Sequence, residues 1–312
     1  MDDNNNNVNE STNTRGSSRR FGVGKTNAFD IFNIIFFLIL GFIMVYPIWS
    51  VLMTSLITPS EAAGRFFIPW PRNPTLNWYR FIFITDRFPR SFLITTAVTI
   101  ASTIYTLIIT STFSYALTKK SVPGYKFFIA MITATMFFTG GIIPYFMMMR
   151  DLNLVNTLWP LIIGSIGFFN FVMIRAFLSQ IPDGLEESAV IDGANEITIF
   201  FRIIIPLALP ILAVVTLWTA VGTWNAWFGS MLYLPRRPDL HVLQHVLRQL
   251  IVDNATIEGA DIEFRRQFEG VHIWMQGVQM AAVIVATAPI LVVYPFLQKY
   301  FVKGIYLGSM KG

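Results

Sequence analysis

The residues best suited to specific chemistry lie in one run, Ile-Pro-Asp-Gly-Leu-Glu-Glu-Ser-Ala-Val-Ile-Asp-Gly-Ala, which separates two apolar segments. Asp183 suits the N-cap of a helix, and Glu186 follows it at the spacing of a capping box. Gly193 can adopt a positive φ, so the first short helix can end there and the chain can turn. Asn195 can then cap a second helix. The run predicts two short helices joined by a glycine turn, and we call residues 181–206 the knob.

The knob also carries side chains that suit contact with a partner. Ser188, Ala189 and Ala194 are small and would let another surface approach closely, as when a helix enters a groove. Glu187 can make a polar or ionic contact with that surface. Alternatively, its negative charge can serve only to interact favourably with the positive, N-terminal end of the helix dipole. Asp192 can cap the turn or contact the partner directly, and the sequence leaves both roles open.

The rest of the chain has the composition of a membrane protein. Of its 312 residues, 54% are hydrophobic and only 13% are charged, whereas soluble domains average about 25% charged residues. Runs of roughly 20 mainly apolar residues predict six membrane spans. These spans cover about residues 29–56, 91–117, 126–149, 157–178, 207–234 and 273–297. The knob lies between the fourth span and the fifth.

Two polar segments lie outside these spans. One is a tail that precedes the predicted transmembrane domain of residues 29–312, and the other is a loop within that domain. Residues 1–28 form a tail rich in Asn, Ser, Thr and Arg, and the low hydrophobicity of this tail predicts disorder. Residues 235–271 form a loop with many charged side chains, which can be simply a solvated cap with internal ion pairs. An even number of spans places both termini on one side, but Lys and Arg are too evenly divided to identify that side.

Several classes of function are disfavoured by missing residues. The chain has no cysteine and three histidines, so we predict neither a disulfide framework nor a metal site. No Gly-x-x-x-x-Gly-Lys-Ser/Thr motif occurs, so we predict that the chain has no ATP site of its own and is not an enzyme. The predicted spans contain almost no ionisable side chains, which disfavours an ion-coupled transporter.

The knob resembles the EAA loop of ABC importer permeases. That pattern is Glu-Ala-Ala, three residues, Gly, nine residues, and Ile-x-Leu-Pro. At the same spacing this chain has Glu187-Ser188-Ala189, Gly193, and Ile203-Ile204-Ile205-Pro206. It departs from the pattern with Ser188 for the first Ala and Ile205 for Leu, and both replacements keep the size class.

Other segments resemble the carbohydrate-importer branch of this family, which includes the maltose-system permeases and the lipoprotein-dependent polysaccharide permeases of Gram-positive bacteria. They are residues 140–144, 156–157, 173–175, 224–227 and 294–304. The resemblance implies an all-α membrane protein, the six-helix transmembrane domain of a type I ABC importer with a cytoplasmic coupling-helix (EAA) loop. Both termini would then be cytoplasmic, in the plasma membrane of a bacterium. The loop of residues 235–271 would be extracellular and could help a substrate-binding lipoprotein to dock.

The resemblance also implies a function and partners. The chain would form half of the pore of an ATP-driven importer of oligo- or polysaccharide. A second permease, two cytoplasmic ATPase subunits and an extracellular substrate-binding lipoprotein would complete the importer, and the ATPase subunits would bind ATP and Mg²⁺. The loop residues Glu187, Ser188, Ala189, Asp192, Gly193 and Ala194 would couple to the ATPase. An ion-coupled secondary sugar transporter is the alternative.

Side chains in the fourth and fifth spans are candidates for the sugar path. Trp218, Trp224, Asn225 and Trp227 lie in the fifth span, and Asn170 lies in the fourth. A ring beside an amide suits the apolar faces and hydroxyl rims of a sugar. Aromatic rings in spans more often pack against other helices or lie at the interface. Asn170 can equally make a hydrogen bond between helices.

Overall fold

The structure is a computed structural model that describes residues 28–65, 68–84, 86–138, 140–252 and 273–309, leaving aside the side chains of 294 and 296–309. Nearly all of the predicted tail, 1–28, and residues 253–271 of the predicted loop lie outside these ranges. Within them the chain is helical and contains no strand. The predicted all-α fold is confirmed.

Eight helices precede the knob along the described chain. They are α1 Ala28–Thr54, α2 Pro59–Ala62, α3 Asn77–Phe83, α4 Arg87–Ala116, α5 Tyr125–Phe137, α6 Ile142–Asp151, α7 Trp159–Ile163 and α8 Phe168–Leu178. The knob contains α9 Asp183–Ile191, α10 Glu196–Ile199, a π-helical turn Phe200–Ile204 and α11 Ile205–Leu207. After it come α12 Leu209–Trp224, α13 Phe228–Tyr233, a 3₁₀ turn Pro238–Leu240, α14 Leu243–Ile251 and α15 Met275–Ser309.

The helices differ in continuity from the six predicted spans. Among the described residues, α1, α4 and the part Met275–Val293 of α15 are long and apolar enough to cross a membrane. Two bent pairs, α5 with α6 at 119° and Glu196–Leu207 with α12 at 77°, bring the number to five if each pair is one span. The predicted fourth span is divided into α7 and α8. The number of six spans stays a prediction.

The chain forms two compact units, residues 1–48 and 49–312. In the first unit, the described residues belong to α1, and many of their large apolar side chains are exposed, among them Phe29, Phe32, Leu38 and Phe42. Water would disfavour such a surface, whereas lipid would not. This part of α1 therefore has the surface of a helix that faces lipid or a neighbouring membrane protein.

Helix α4 lies at the centre of the second unit and contacts α7, α8, α12 and α14. One face of α4 carries small hydroxyl side chains that are buried. They are Ser91, Thr95, Ser102, Thr103, Thr106, Thr110, Ser111 and Ser114. Four of them, Thr95, Ser102, Thr106 and Ser114, bond to other segments; Thr106 Oγ1 is 2.7 Å from Ser165 Oγ, and Ser114 Oγ donates to the Phe171 carbonyl at 3.2 Å. Small hydroxyl residues allow helices in a membrane to approach closely and to hydrogen-bond.

Two apolar clusters lie at opposite ends of α4. The cluster at its N-terminal end joins α3, α4, α14 and α15 around Trp78, Phe88 and Trp224. The cluster at its C-terminal end joins α4, α8, the knob and α12 around Tyr115, Ile174 and Ile204. The knob is therefore part of a packed core and does not stand apart from the helices.

Arg175 of α8 ties the end of α4 to the start of α5. Its Nε donates to the carbonyl of Leu117, the residue that caps the C-terminus of α4, at 2.9 Å. Its Nη2 donates to the hydroxyl of Tyr125, the first residue of α5, at 2.7 Å. A planar guanidinium can reach both acceptors at once, whereas an ammonium cannot reproduce that fork.

We predict that Arg175→Lys lowers the stability of the protein by about 1.5–3 kcal/mol, because at least one charged hydrogen bond is lost. Thermal unfolding of the purified chain in detergent measures this loss. The matched control is Arg202→Lys, which makes the same change at an exposed position. Equal unfolding temperatures for the two variants would show that the Arg175 fork does not hold α4 and α5 together.

Candidate functional site

The knob has the two short helices and the glycine turn that its sequence predicts. Helix α9 ends at Ile191, and Gly193 has a φ of 80°. Asn195 caps α10 by accepting a hydrogen bond from the Thr198 backbone N–H at 2.8 Å. The predicted roles of Gly193 and Asn195 in the turn and the cap are confirmed. The π-helical turn continues the second helix into α11.

The predicted capping box at the start of the knob is wrong. Pro182, with φ −62° and ψ 130°, is the N-cap residue of α9, so Asp183 is already in the first helical turn and makes no side-chain cap bond. Proline fixes φ and suits the extended conformation that precedes a helix. Glu186 does not turn back to the N-terminus; its carboxylate lies 2.7 Å from Lys119 Nζ.

The inner face of the knob packs on its own chain. Ala189 is only 8% exposed and belongs to the C-terminal cluster with Ile174 and Leu178. Ala194 is partly buried against the same cluster. The expectation that Ala189 presents its small face to a partner is therefore wrong, because that side chain lets α9 lie close to α8.

The opposite face of the knob is exposed and mixes acidic with apolar side chains. Glu187, Ser188 and Asp192 are exposed on it, beside Val190, Ile191 and Ile197. Ile191 is 85% exposed, which a folded chain in water disfavours unless a partner covers the side chain. We call these six residues the outer face.

A charged cluster joins both helices of the knob to the C-terminal end of α4. Lys119 Nζ lies 2.7 Å from Glu186 Oε2 of α9 and 2.9 Å from Glu196 Oε2 of α10. The Tyr115 hydroxyl donates to Glu196 Oε2 at 2.9 Å. Lys119 Nζ also lies 4.9 Å from the centre of the Tyr115 ring. We call Tyr115, Lys119, Glu186 and Glu196 the Lys119 cluster.

The charges of the Lys119 cluster shift one another's ionisation. The hydrogen bond from Lys119 lowers the pKa of Glu196 below its usual value, against the opposing effect of burial. Burial lowers the pKa of Lys119, but the hydrogen bonds to Glu186 and Glu196 outweigh it and raise that pKa overall. A carboxyl whose pKa is lowered in the folded state stabilises that state above its unfolded pKa, and the effect is lost as pH falls. Lys119 and Glu196 are therefore both charged at neutral pH.

Sequence reasoning identified neither Tyr115 nor Lys119 as part of the site. Lys119 follows a membrane span, where a lysine is ordinary, and 67 residues separate it from Glu186. No local spacing relates residues so far apart. Only the packing of α9 and α10 against the end of α4 brings them together.

A cleft of about 430 Å³ opens between α7, α8, α12 and α13. Its walls include Tyr145, Ser165, Asn170, Trp218 and Thr219. Asn170 Nδ2 also lies 3.4 Å from Thr219 Oγ1. Asn170 therefore both lines the cleft and contacts another helix, the two roles that the sequence left open.

The other three predicted path residues do not line this cleft. Trp224 is buried in the N-terminal cluster, and its Nε1 donates to the Ala286 carbonyl at 3.0 Å. Asn225 is exposed and donates to the Val221 carbonyl at 2.9 Å. The Trp227 ring lies under the Arg248 guanidinium, 4.4 Å from its carbon. For Trp224 the structure supports the packing role.

Comparison with known proteins identifies the class. No family model matches the chain. It is 38% identical over 286 residues to protein LplC of Bacillus subtilis strain 168, covering 91% of this chain and 95% of that one. It is 36% identical over 289 residues to the polygalacturonan/rhamnogalacturonan transport system permease protein YtcP of the same organism, covering 92% and 100%.

A solved structure matches over a similar length. It is a chain in the crystal structure of a bacterial ABC transporter involved in the import of the acidic polysaccharide alginate. The TM-score is 0.81 at 32% identity, and the match covers 88% of this chain and 96% of that one. These likenesses define an integral membrane permease of the ABC importer class.

The chain belongs to the carbohydrate-importer family of ABC transporter permeases. It is a membrane protein and a transport subunit, and members of this family are not themselves enzymes. The relatives support this function and not the ion-coupled alternative.

We predict that Gly193→Val destabilises the knob and uncouples transport from ATP hydrolysis. No atom lies within 4 Å of a Cβ built at this position, so the loss of stability would come from the positive φ and not from a steric clash. A left-handed conformation costs an L-residue about 1–2 kcal/mol, and more for a β-branched side chain. Sugar uptake and ATPase activity of the reconstituted importer would measure the uncoupling.

The matched control is Gly184→Val. Gly184 lies in α9, a Cβ at this position would have the same open space around it, and the backbone φ there is not positive. This variant should keep most of the uptake. If both valine variants transported normally, the turn at Gly193 would not need a positive φ for coupling.

Proposed function

We propose that this chain forms half of the translocation pore of an ATP-driven importer of oligo- or polysaccharide. It would lie in the plasma membrane of a bacterium with both termini in the cytoplasm. The names of its relatives support a polymeric sugar, since one is named for polygalacturonan and rhamnogalacturonan transport and another for alginate import.

The proposed assembly has five kinds of component besides membrane lipid. They are this chain, a second homologous permease, two cytoplasmic ATPase subunits, an extracellular substrate-binding lipoprotein and the carbohydrate itself. The ATPase subunits would bind ATP and Mg²⁺, and this chain would bind neither. Its membership in the ABC importer family supports these partners.

The outer face of the knob is the observation on which the proposal mainly depends. It places three large apolar side chains in solvent beside two carboxylates on a short helix pair. Helices that enter a groove combine apolar anchors with a polar rim in this way. We assign Glu187, Ser188 and Asp192 to contact with the ATPase, and Ala189, Gly193 and Ala194 to the shape of the knob.

The cleft is the proposed path for sugar. Its volume of about 430 Å³ is within the roughly 300–1,000 Å³ of small-molecule sites. Asn170 supplies an amide and Trp218 an apolar ring, which suit a hydroxyl rim and a C–H face. Asn225 and Trp227 follow α12 beside the cleft residue Ala226, so they would contact sugar at the margin of the path.

We predict that Glu187→Lys with Ile191→Asp removes ATPase binding without unfolding the permease. The double change reverses a charge and removes the most exposed apolar anchor, and both side chains lie outside the packed core. Co-purification of the ATPase subunits with the tagged chain measures binding. The control Asp86→Lys reverses an exposed charge elsewhere and should leave binding intact. Full ATPase recovery by the double variant would remove the outer face from the interface.

We predict that Trp218→Ala raises the half-saturating sugar concentration for uptake about 2- to 10-fold, as expected for an aromatic contact of about 0.5–1.5 kcal/mol. Asn170→Ala should act in the same direction. Asn225→Ala should have a smaller effect, because Asn225 lies at the margin. Uptake of labelled oligosaccharide by reconstituted importer would measure all three. A larger effect at Asn225 than at Trp218 would place the path outside this cleft.

A further inference from the structure

The Lys119 cluster bridges both sides of the glycine turn. Lys119 contacts Glu186 before the turn and Glu196 after it, both at the distance of an ion pair. Two points of attachment limit the rotation of α9 relative to α10, whereas a single contact would leave that rotation free. The side chains of Lys119 and Glu186 are 27% and 22% exposed, whereas that of Glu196 is 65% exposed. Solvent screens the Glu196 pair more strongly, so Glu186 is the stronger anchor.

Helix α4 runs without a break from the residues beside this cluster to its own N-terminal end at Arg87. It has 30 residues, which corresponds to about 45 Å at 1.5 Å per residue. Val98 in its N-terminal half lines the cleft. Beyond the cleft, Thr95 Oγ1 accepts from the Leu243 backbone N–H at 2.7 Å, and Arg87 donates to Gln249 of α14 at 2.6 Å. A displacement at the C-terminal end of α4 would therefore reach the cleft wall and α14.

The covalent route from the knob to the membrane helices is less direct. The chain passes from α10 through the π-helical turn and α11, and then bends by 77° into α12. A π turn and a sharp bend are points where a helix can flex. The straight route through α4 has no such point, but it depends on noncovalent attachment of the knob.

We infer that Lys119 is the positioning residue that fastens both helices of the knob to α4, so that α4 carries movement of the knob to the cleft. This inference rests on the proposed coupling function and adds to it a specific mechanical connection. It places no contact between Lys119 and the ATPase or the sugar. Loss of Lys119 should therefore leave ATPase binding and hydrolysis in place while sugar transport per ATP falls.

The first test compares Lys119→Gln, Lys119→Arg and the control Lys120→Gln in the whole importer reconstituted in liposomes. Lys120 is the adjacent exposed lysine. We expect Lys119→Gln to reduce sugar transported per ATP about 5-fold or more, with ATPase subunits still bound. Lys119→Arg should restore most of the ratio, and Lys120→Gln should not change it. An unchanged ratio in Lys119→Gln overturns the inference, as does loss of ATPase binding in that variant.

A second test replaces the ion pair by a covalent bridge. The chain has no cysteine, so Lys119→Cys with Glu186→Cys can be joined by a short bis(methanethiosulfonate) reagent, which forms a disulfide with each thiol as methanesulfinate leaves and which reduction removes. We expect low transport per ATP before cross-linking, recovery after it, and loss again on reduction. Each single-cysteine variant, treated with the same reagent, controls for modification alone. No recovery in the cross-linked protein would contradict a fastening role for Lys119.

The two tests separate failure of this inference from failure of the proposed function. If no ATPase subunit co-purifies with the unmodified chain, and no sugar is transported when the chain is reconstituted with an ATPase subunit, the proposed coupling function itself is wrong. If the unmodified importer is coupled and Lys119→Gln is equally coupled, only the role of Lys119 is wrong. The ratio of transport to hydrolysis is the decisive quantity, because a general loss of folding would lower both activities together.

Discussion

Close packing on the hydroxyl face of α4 is the constraint on which the rest of this structure depends. Lipid offers no hydrophobic force that drives apolar helices together, so van der Waals contact and hydrogen bonds must do so. Serine and threonine on α4 provide both, because they are small and can donate to neighbouring backbone, as Ser114 does to Phe171. Since α7, α8, α12 and α14 all contact α4, the position of each depends on that face.

The same helix determines where the knob can lie. Its last turn presents Tyr115 to the C-terminal apolar cluster and places Lys119 just beyond the helix end. The apolar cluster holds the inner face of the knob, and the Lys119 cluster holds Glu186 and Glu196. The outer face is left for a partner because the inner face is already occupied. Under the proposed function, folding and coupling would thus use opposite sides of one short helix pair.

Much of the fold and part of the site followed from sequence. Long apolar runs predicted α1, α4 and α15. The turn was predicted because Gly193 can adopt a positive φ and Asn195 can cap the helix that follows. These features depend on residues close together in the chain. The Lys119 cluster and the burial of Ala189 depend on contacts between distant segments, so sequence spacing did not reveal them. Asp183 failed as a cap because Pro182 already occupied the capping position.

The division of the predicted spans and the position of the cleft have a common physical cause. Backbone outside a regular helix exposes N–H and C=O groups, which lipid cannot satisfy, so such backbone belongs where it lines a cavity or packs on protein. Gly164 and Ser165 lie in the break between α7 and α8, and Ala226 lies in the break between α12 and α13; all three line the cleft. A sugar is rich in hydroxyl groups and can bond to such backbone. Breaks that would weaken a helix in lipid therefore suit the wall of the proposed path for a polar solute, and they lie where α7–α8 and α12–α13 meet the uninterrupted α4 at the cleft.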